Sequence, residues 1–250
     1  RPRDRVVTML IWLPPSEGKN APAQGPSFDV NALSRASLAT SRRTVCDTLA
    51  ALGDGPEAAA VLKVGARIDL SVNTALDSAP CAPASSLFTG VLYEAIEECA
   101  PGVWSSAGAA HVSIFSGLFG VLSPTDVIPD HRLAMGVSLP GLGVLSTWWA
   151  PRLDEELSPE ASERIIIDGR SGPYRAACKA PWARVWELRV EREADGDIPR
   201  RKALARRHHR LAARLRWLSR RGNGGGGEGP GGGRVLTITG GREGQRTPRD

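Results

Sequence analysis

The sequence predicts an α/β domain, or its α+β variant: a single compact mixed sheet with packed helices over residues 9–194. Three observations predict it. Short apolar or β-branched runs alternate along the chain with segments of helical spacing. Each apolar run exits into a loop rich in Gly, Ser or Pro, as strands do before a turn. No internal repeat is present, so a solenoid or propeller is not expected.

The elements follow in order. Leu10–Leu13 (LIWL) reads as a buried first strand, stopped by Pro14-Pro15. Thr44–Leu52 places Val45, Leu49 and Leu52 at helical spacing, with Gly53 as the stop. Leu87–Cys99 repeats the pattern, setting Leu87, Val91, Ala95 and Cys99 on one face. His111–Phe115 and Arg164–Ile167 are β-branched strands, and Val185–Val190 alternates, with Trp186, Leu188 and Val190 on one side. Leu139–Val144 (LPGLGV) has the hairpin pattern of a helix-hairpin-helix element, in which Gly141 and Gly143 would expose backbone N–H groups to a phosphate. Two glycines between apolar residues also suit an ordinary turn, and no Lys or Arg follows until Arg152.

Charge divides the chain in three. Of its 250 residues, 32 are Lys or Arg and 27 Asp or Glu, giving a net charge of +5 and a pI near 9.4. Residues 195–250 carry 14 basic and 5 acidic residues, and residues 1–8 carry three arginines against Asp4. Residues 9–194 are therefore acidic, at −6. The excess that suggests a nucleic-acid partner lies almost wholly in the ends. Thirteen of the 28 glycines also fall in 195–250; disorder is expected for 222–250, while Arg200–Arg221 could form a basic helix with Leu204, Leu211, Leu215 and Leu218 as a partial apolar stripe. Two origins fit it, a nucleic-acid-binding arm and out-of-frame translation of a GC-rich gene; 28 Arg against 4 Lys suits the second. Residues 1–8 read as an extension upstream of Met9.

Other classes are set aside. The weakly polar stretch His111–Leu122 is far short of the roughly 20 residues a membrane helix needs. Cysteines at 46, 81, 99 and 178 form no CxxC and no metal-ligand spacing with the four histidines, so buried reduced thiols, a cytoplasmic location, no metal and no cofactor are expected. A cysteine redox sensor is the weakest of the functional readings, because Cys46 and Cys99 lie on apolar helix faces.

Three strand-exit loops are candidates for chemistry, since α/β sheets bind ligands there. In Pro14–Lys19, Ser16 and Lys19 could hold a phosphate, although the P-loop spacing is missing. In Ser116–Leu133, Gly117 and Gly120 allow a close backbone approach or a positive φ, while Asp126 and Arg132 either bind a ligand or pair with each other. In Asp168–Tyr174, Arg170 and Ser171 could meet an anion and Tyr174 could donate or stack. No motif names a reaction, so catalysis stays open, with Asp126 and Tyr174 as the proton-handling candidates.

LPPSEGK, Phe88–Tyr93 (FTGVLY), SGLFGVLSPTDVIPDHRLAMG (116–136), Trp148 and DGRSGPY (168–174) together resemble the YaaA family of peroxide stress resistance proteins, over roughly Met9–Val190. His131 stands where that pattern usually has Tyr. A basic segment at 200–217 replaces the family's closing Ser-His and Lys motif, as a frameshift between Glu193 and Pro199 would produce. The resemblance implies a cytosolic α/β protein linked to peroxide, with a helix-hairpin-helix-like element and a positively charged cleft for DNA. Carried onto matching positions, it marks Ser16, Lys19, Ser116, Gly117, Gly120, Asp126, Arg132, Ser171 and Tyr174. The alternative is an enzyme or binder for a small, anionic, nucleotide- or base-like ligand, with Trp12 and Phe119 flanking its ring. A monomer is expected.

Overall fold

The structure, a computed structural model, describes residues 9–161, 164–170, 172–188 and 238–240. The expectations for residues 1–8, for Ser171, for Val190 and for most of the tail lie outside the described residues.

A mixed sheet forms the centre. Its strands are β1 (Met9–Leu13), β3 (Val112–Ser116), β4 (Gly120–Leu122), β8 (Ile165–Asp168), β9 (Arg184–Leu188) and β10 (Ile238–Gly240), in the order β10-β9-β8-β1-β3-β4. β3, β1, β8 and β9 run parallel, and β4 and β10 are antiparallel edges. Parallel strands covered on both faces need continuous apolar runs. LIWL and III supply them, and Leu10, Ile11, Trp12 and Leu13 are all buried. β9 differs: Val185, Trp186, Glu187 and Leu188 are each half-buried, so its alternation does not produce one closed face.

Two small ladders flank this sheet. β2 (Cys81–Pro83) pairs with β5 (Val127–Pro129), and β6 (Ser138–Leu139) with β7 (Gly143–Val144), both antiparallel. The second is a hairpin turning through Gly141 and Gly143, and it runs directly into a helix; residues 130–137 before it are turn and extended chain.

The helices are α1 (Ala39–Ala50), α2 (Pro56–Leu62), α3 (Ser71–Thr74), α4 (Ala84–Leu87), α5 (Val91–Cys99), α6 (Leu145–Leu157) and α7 (Gly172–Ala176). α1 begins five residues before the segment read from sequence, because Arg42 joins its buried stripe with Val45, Cys46 and Leu49. The Arg42 guanidinium donates to the carbonyl oxygens of Phe119, Val121 and Ser34 at 3.1, 2.7 and 2.7 Å. A charged residue thus takes a core position by satisfying three backbone acceptors.

The helix expected over Leu87–Cys99 is two helices. Gly90, at φ +97°, breaks it and shifts the phase, so Val91 is exposed and Leu92, Tyr93, Ala95, Ile96 and Cys99 are buried. α6 has no counterpart in the sequence reading. Pro151 interrupts its pattern, yet Leu145, Trp149, Leu153 and Leu157 bury one stripe at intervals of four.

Candidate functional site

Strand register builds the site. Trp12 lies level with Asp168, and Leu13 with Ile114, so β1 and β8 end together and release their loops side by side. The Gly169 N–H donates to the Trp12 carbonyl at 2.9 Å, continuing the ladder one residue past β8.

The loop after β1 is fastened to the segment before α5. The Tyr93 hydroxyl donates to the Pro14 carbonyl at 2.9 Å. The Thr89 N–H donates to Gly18 at 3.0 Å, and the Asn20 N–H to Leu87 at 2.8 Å. Lys19 pairs with Phe88 in an isolated antiparallel bridge, and its Nζ sits 5.8 Å from the Phe88 ring centroid. Ser16 is half-buried and turned towards Gly90.

The chain from Pro129 to Gly136 closes over this loop. His131 is buried edge-on between Phe88 and Phe119, with centroids at 6.3 and 5.2 Å. Its Nδ1 lies 2.9 Å from the Pro129 carbonyl, which can only accept, so Nδ1 carries the proton. Burial, then the nearby Lys19 charge, pushes the His131 pKa down to about 3, and the ring is neutral at physiological pH. Arg132 is pinned at its backbone by Asn73, which accepts from the Arg132 N–H at 2.7 Å and donates to its carbonyl at 3.1 Å. Its guanidinium pairs with Asp130.

Lys19 responds to the same surroundings. Burial first, and the Arg132 charge second, lower its pKa to about 8 against the opposing pull of Asp130 and Glu17. Tyr174, on α7, is half-buried; burial raises its pKa, opposed by a hydrogen bond with the Met135 backbone. Pro173 packs against Gly136. Lys19 and Arg132, from two separate loops, and Tyr174, from α7, are thus brought to one cluster with Phe88, His131, Asp130 and Glu17.

The other candidates are placed differently. Asp126 is buried, and its carboxylate accepts from the Ser34 N–H, the Ser34 hydroxyl and the Ser123 N–H at 2.8, 2.6 and 2.9 Å. It ties two loops together and does not pair with Arg132. Ser116 is buried and caps the turn after β3, its Oγ accepting from Leu118 and Phe119 at 3.2 and 3.3 Å. Gly117 packs on the backbone of Leu133–Met135, and its carbonyl accepts from Trp149 Nε1 at 2.9 Å. Gly120 lies under the Trp149 ring. Gly141 and Gly143 are exposed in their hairpin.

Arg170 is enclosed. Only 1% of its side chain is exposed, and it forms a two-pronged pair with Asp168 at 2.9 and 3.0 Å. The Tyr174 and Cys178 carbonyls accept from the same guanidinium at 3.0 and 2.7 Å. No anion reaches it in this arrangement. Trp12 and Phe119, expected to flank a ligand ring, are core residues: Trp12 packs on Phe115 and Phe119 on Phe28.

Asn73, Asp130 and Glu17 were not singled out from sequence. Asp130 could have been, since it lies two residues before Arg132. Asn73 sits in a segment with no signal pointing to residue 132. Among the described residues, no group of three or more His, Cys, Asp or Glu could hold a metal ion. No helix among them is long and apolar enough to cross a membrane.

Comparison with known proteins bears on most of the chain. The sequence model of the family described as peroxide stress protein YaaA matches residues 9–214, running past residue 194 into the basic tail. A UPF0246 protein of Streptomyces coelicolor is 39% identical over 176 residues, 68% of each chain. One of Corynebacterium efficiens is 36% identical over 181 residues, 70% of this chain and 71% of its own.

Proposed function

Because the chain belongs to the peroxide stress protein YaaA family, we propose that it acts in the cytoplasm, as a monomer, in the response to hydrogen peroxide by binding DNA at the strand-end cluster. One backbone phosphate lies on Lys19 and Arg132. The observation that carries this reading is the convergence of two cation-bearing loops on Phe88: Lys19 Nζ lies 5.8 Å from its ring, and His131, next to Arg132, packs edge-on to the same ring at 6.3 Å. Asp130, paired with Arg132, and Glu17 offset part of the repulsion between the two cations, and a phosphate between them would add a further anion. A lysine point charge and an arginine fork are both suited to phosphate oxygens. The exposed Gly141–Gly143 turn offers backbone N–H groups to a second phosphate.

The acidic body limits the number of phosphates neutralised. Two contacts give a slope of about −2 in log affinity against log salt. Fluorescence anisotropy of a labelled duplex across a salt series tests this. Lys19→Met is expected to reduce the slope by about one. Absence of binding at low salt, or an unchanged slope in the Lys19→Met/Arg132→Ala variant, rejects the cleft as the DNA site. The second of these results would move binding to the tail.

A second reading, a small nucleotide- or base-like anion, is favoured by the two half-buried groups Lys19 and Tyr174, the first suited to hold the anion and the second to hold or pass a proton. A thermal-shift screen against nucleotides and bases tests it. A specific shift that Arg132→Ala abolishes supports it, and no shift across the panel rejects it.

A further inference from the structure

We propose that Lys19 is an imine-forming amine, and that the ligand it takes is a phosphorylated aldehyde, with the phosphate on Arg132 and the carbonyl carbon at Lys19 Nζ. The proposal rests on reading the cluster as a phosphate site and gives that site a substrate class.

Among the described lysines, Lys19, Lys63 and Lys179, geometry singles out Lys19; the fourth, Lys202, lies outside the described residues. Its backbone is held by the bridge to Phe88 and by hydrogen bonds on either side, from Thr89 to Gly18 and from Asn20 to Leu87. Its Nζ lies against an aromatic face, and no carboxylate among the described residues comes within 4 Å of it. Lys63 and Lys179, by contrast, are exposed. Arg132 adds a second cation, as is needed both to seat a phosphate and to keep an amine unprotonated. With its pKa lowered to about 8, Lys19 is roughly one-tenth free amine at pH 7, against roughly 0.04% for an ordinary lysine.

The step balances without a redox partner. The Nζ lone pair attacks the carbonyl carbon, and the C=O π pair moves to oxygen to give a carbinolamine. The carbonyl oxygen then departs as water with two hydrogens equivalent to those of the amine, and a C=N bond remains. Water reverses the step. Two sources carry this chemistry: a free sugar phosphate in its aldehyde form, and the ring-opened sugar of an abasic site in DNA, whose aldehyde is flanked by phosphates.

The test is reductive trapping on the full chain with sodium cyanoborohydride, read by peptide mass spectrometry at all four lysines. One arm uses glyceraldehyde 3-phosphate, a second a duplex with one abasic site, and a third unphosphorylated glyceraldehyde. Lys19 is expected to be labelled on the order of tenfold or more above Lys63 and Lys179 in the first or second arm, and several-fold less in the third. Lys19→Arg is expected to lose that adduct while labelling of the other lysines and the circular dichroism spectrum stay unchanged. Trapping of the free phosphate alone supports the proposal while removing DNA as its source. Trapping of the duplex supports both. Binding of the duplex without trapping in any arm overturns the imine and leaves the DNA reading intact. Equal labelling of all lysines, or of Lys19 with and without phosphate, also overturns it.

Discussion

Arg170 and Asp168 form an ion pair that is closed off from solvent on both sides, 1% and 2% exposed, beneath the rings of Trp12 and Phe115. The guanidinium carbon lies 4.5 Å from the Trp12 centroid and 3.9 Å from that of Phe115. Both carboxylate oxygens of Asp168 are engaged by Arg170. The pair therefore joins β1, β3 and β8 beneath the cleft and leaves no free charge for a ligand.

Removing Arg170 takes away the two-pronged partner of a buried carboxylate and leaves it the more distant Arg175, at 3.6 Å, which costs about 3 kcal/mol. Arg170→Met is expected to lower the melting temperature by roughly 10 °C, read by thermal denaturation. A change within a degree or two would show that the pair carries no such weight.

His131 sets an acid limit. Its folded pKa of about 3 lies below its unfolded value, near 6.5. Between those values the unfolded chain binds a proton and the folded chain does not. Stability from this group is therefore complete above pH 6.5 and falls as pH drops towards 3, at about 1.4 kcal/mol per pH unit. His131→Phe is expected to flatten the acid side of a urea-midpoint profile between pH 6 and 4. An unaltered profile would assign the acid limb to other groups.

Lys19 sets a limit on the basic side, for binding. Phosphate favours its charged form, so anion affinity is expected to decline as pH rises past the free protein's value of about 8. Lys19→Arg, charged throughout, is expected to abolish this decline. Titrating a phosphorylated ligand from pH 7 to 9.5 by calorimetry distinguishes the two profiles.

Gly120, at φ +72°, turns β3 back into β4, and a Cβ there would stand 2.8 Å from two carbons of the Trp149 ring. Gly120→Ala adds strain at the backbone and overlap with an indole that is itself fixed by its bond to Gly117, and is expected to destabilise by about 1–3 kcal/mol or more. Urea unfolding followed by tryptophan fluorescence measures this. Wild-type stability would mean that Trp149 has room to withdraw.

The thiols are expected to be slow. Burial pushes the pKa of Cys46, Cys81 and Cys178 up to about 12, 11 and 12, so the thiolate that peroxide oxidises is scarce. Thiol titration of the native protein before and after mild peroxide treatment should give the same count. Rapid loss of one thiol would restore the redox-sensor reading.

Legibility in the sequence followed the range of the interactions. LIWL and III were readable as parallel strands because burial on both faces leaves a local apolar run. Lys19, Arg132 and Tyr174 could be named because each lies in a polar exit from an apolar strand or turn. Whether a polar residue faces a ligand or the core is decided by partners far along the chain, and no spacing carries that. Asp126 looked as available as Arg132 until Ser34, 92 residues before it, occupied its carboxylate. Arg170 looked like an anion contact, although Asp168 was only two residues away and the rings that cover it came from β1 and β3. Pro151 hid α6, since a helix that packs Trp149 and Leu153 tolerates the lost backbone bond.

The sheet order has a consequence for how the chain assembles. β1 is the earliest of the strands in sequence, yet it lies inside the sheet, and both its neighbours come later: β3 at residue 112 and β8 at residue 165. During synthesis an apolar strand must therefore wait for about 100 residues of following chain before β3 can cover one edge, and about 150 before β8 covers the other. Such long-range parallel pairing is slow and exposes sticky edges meanwhile. Pro14-Pro15, directly after it, cannot extend a ladder and so limits how far a stray strand can zip onto β1.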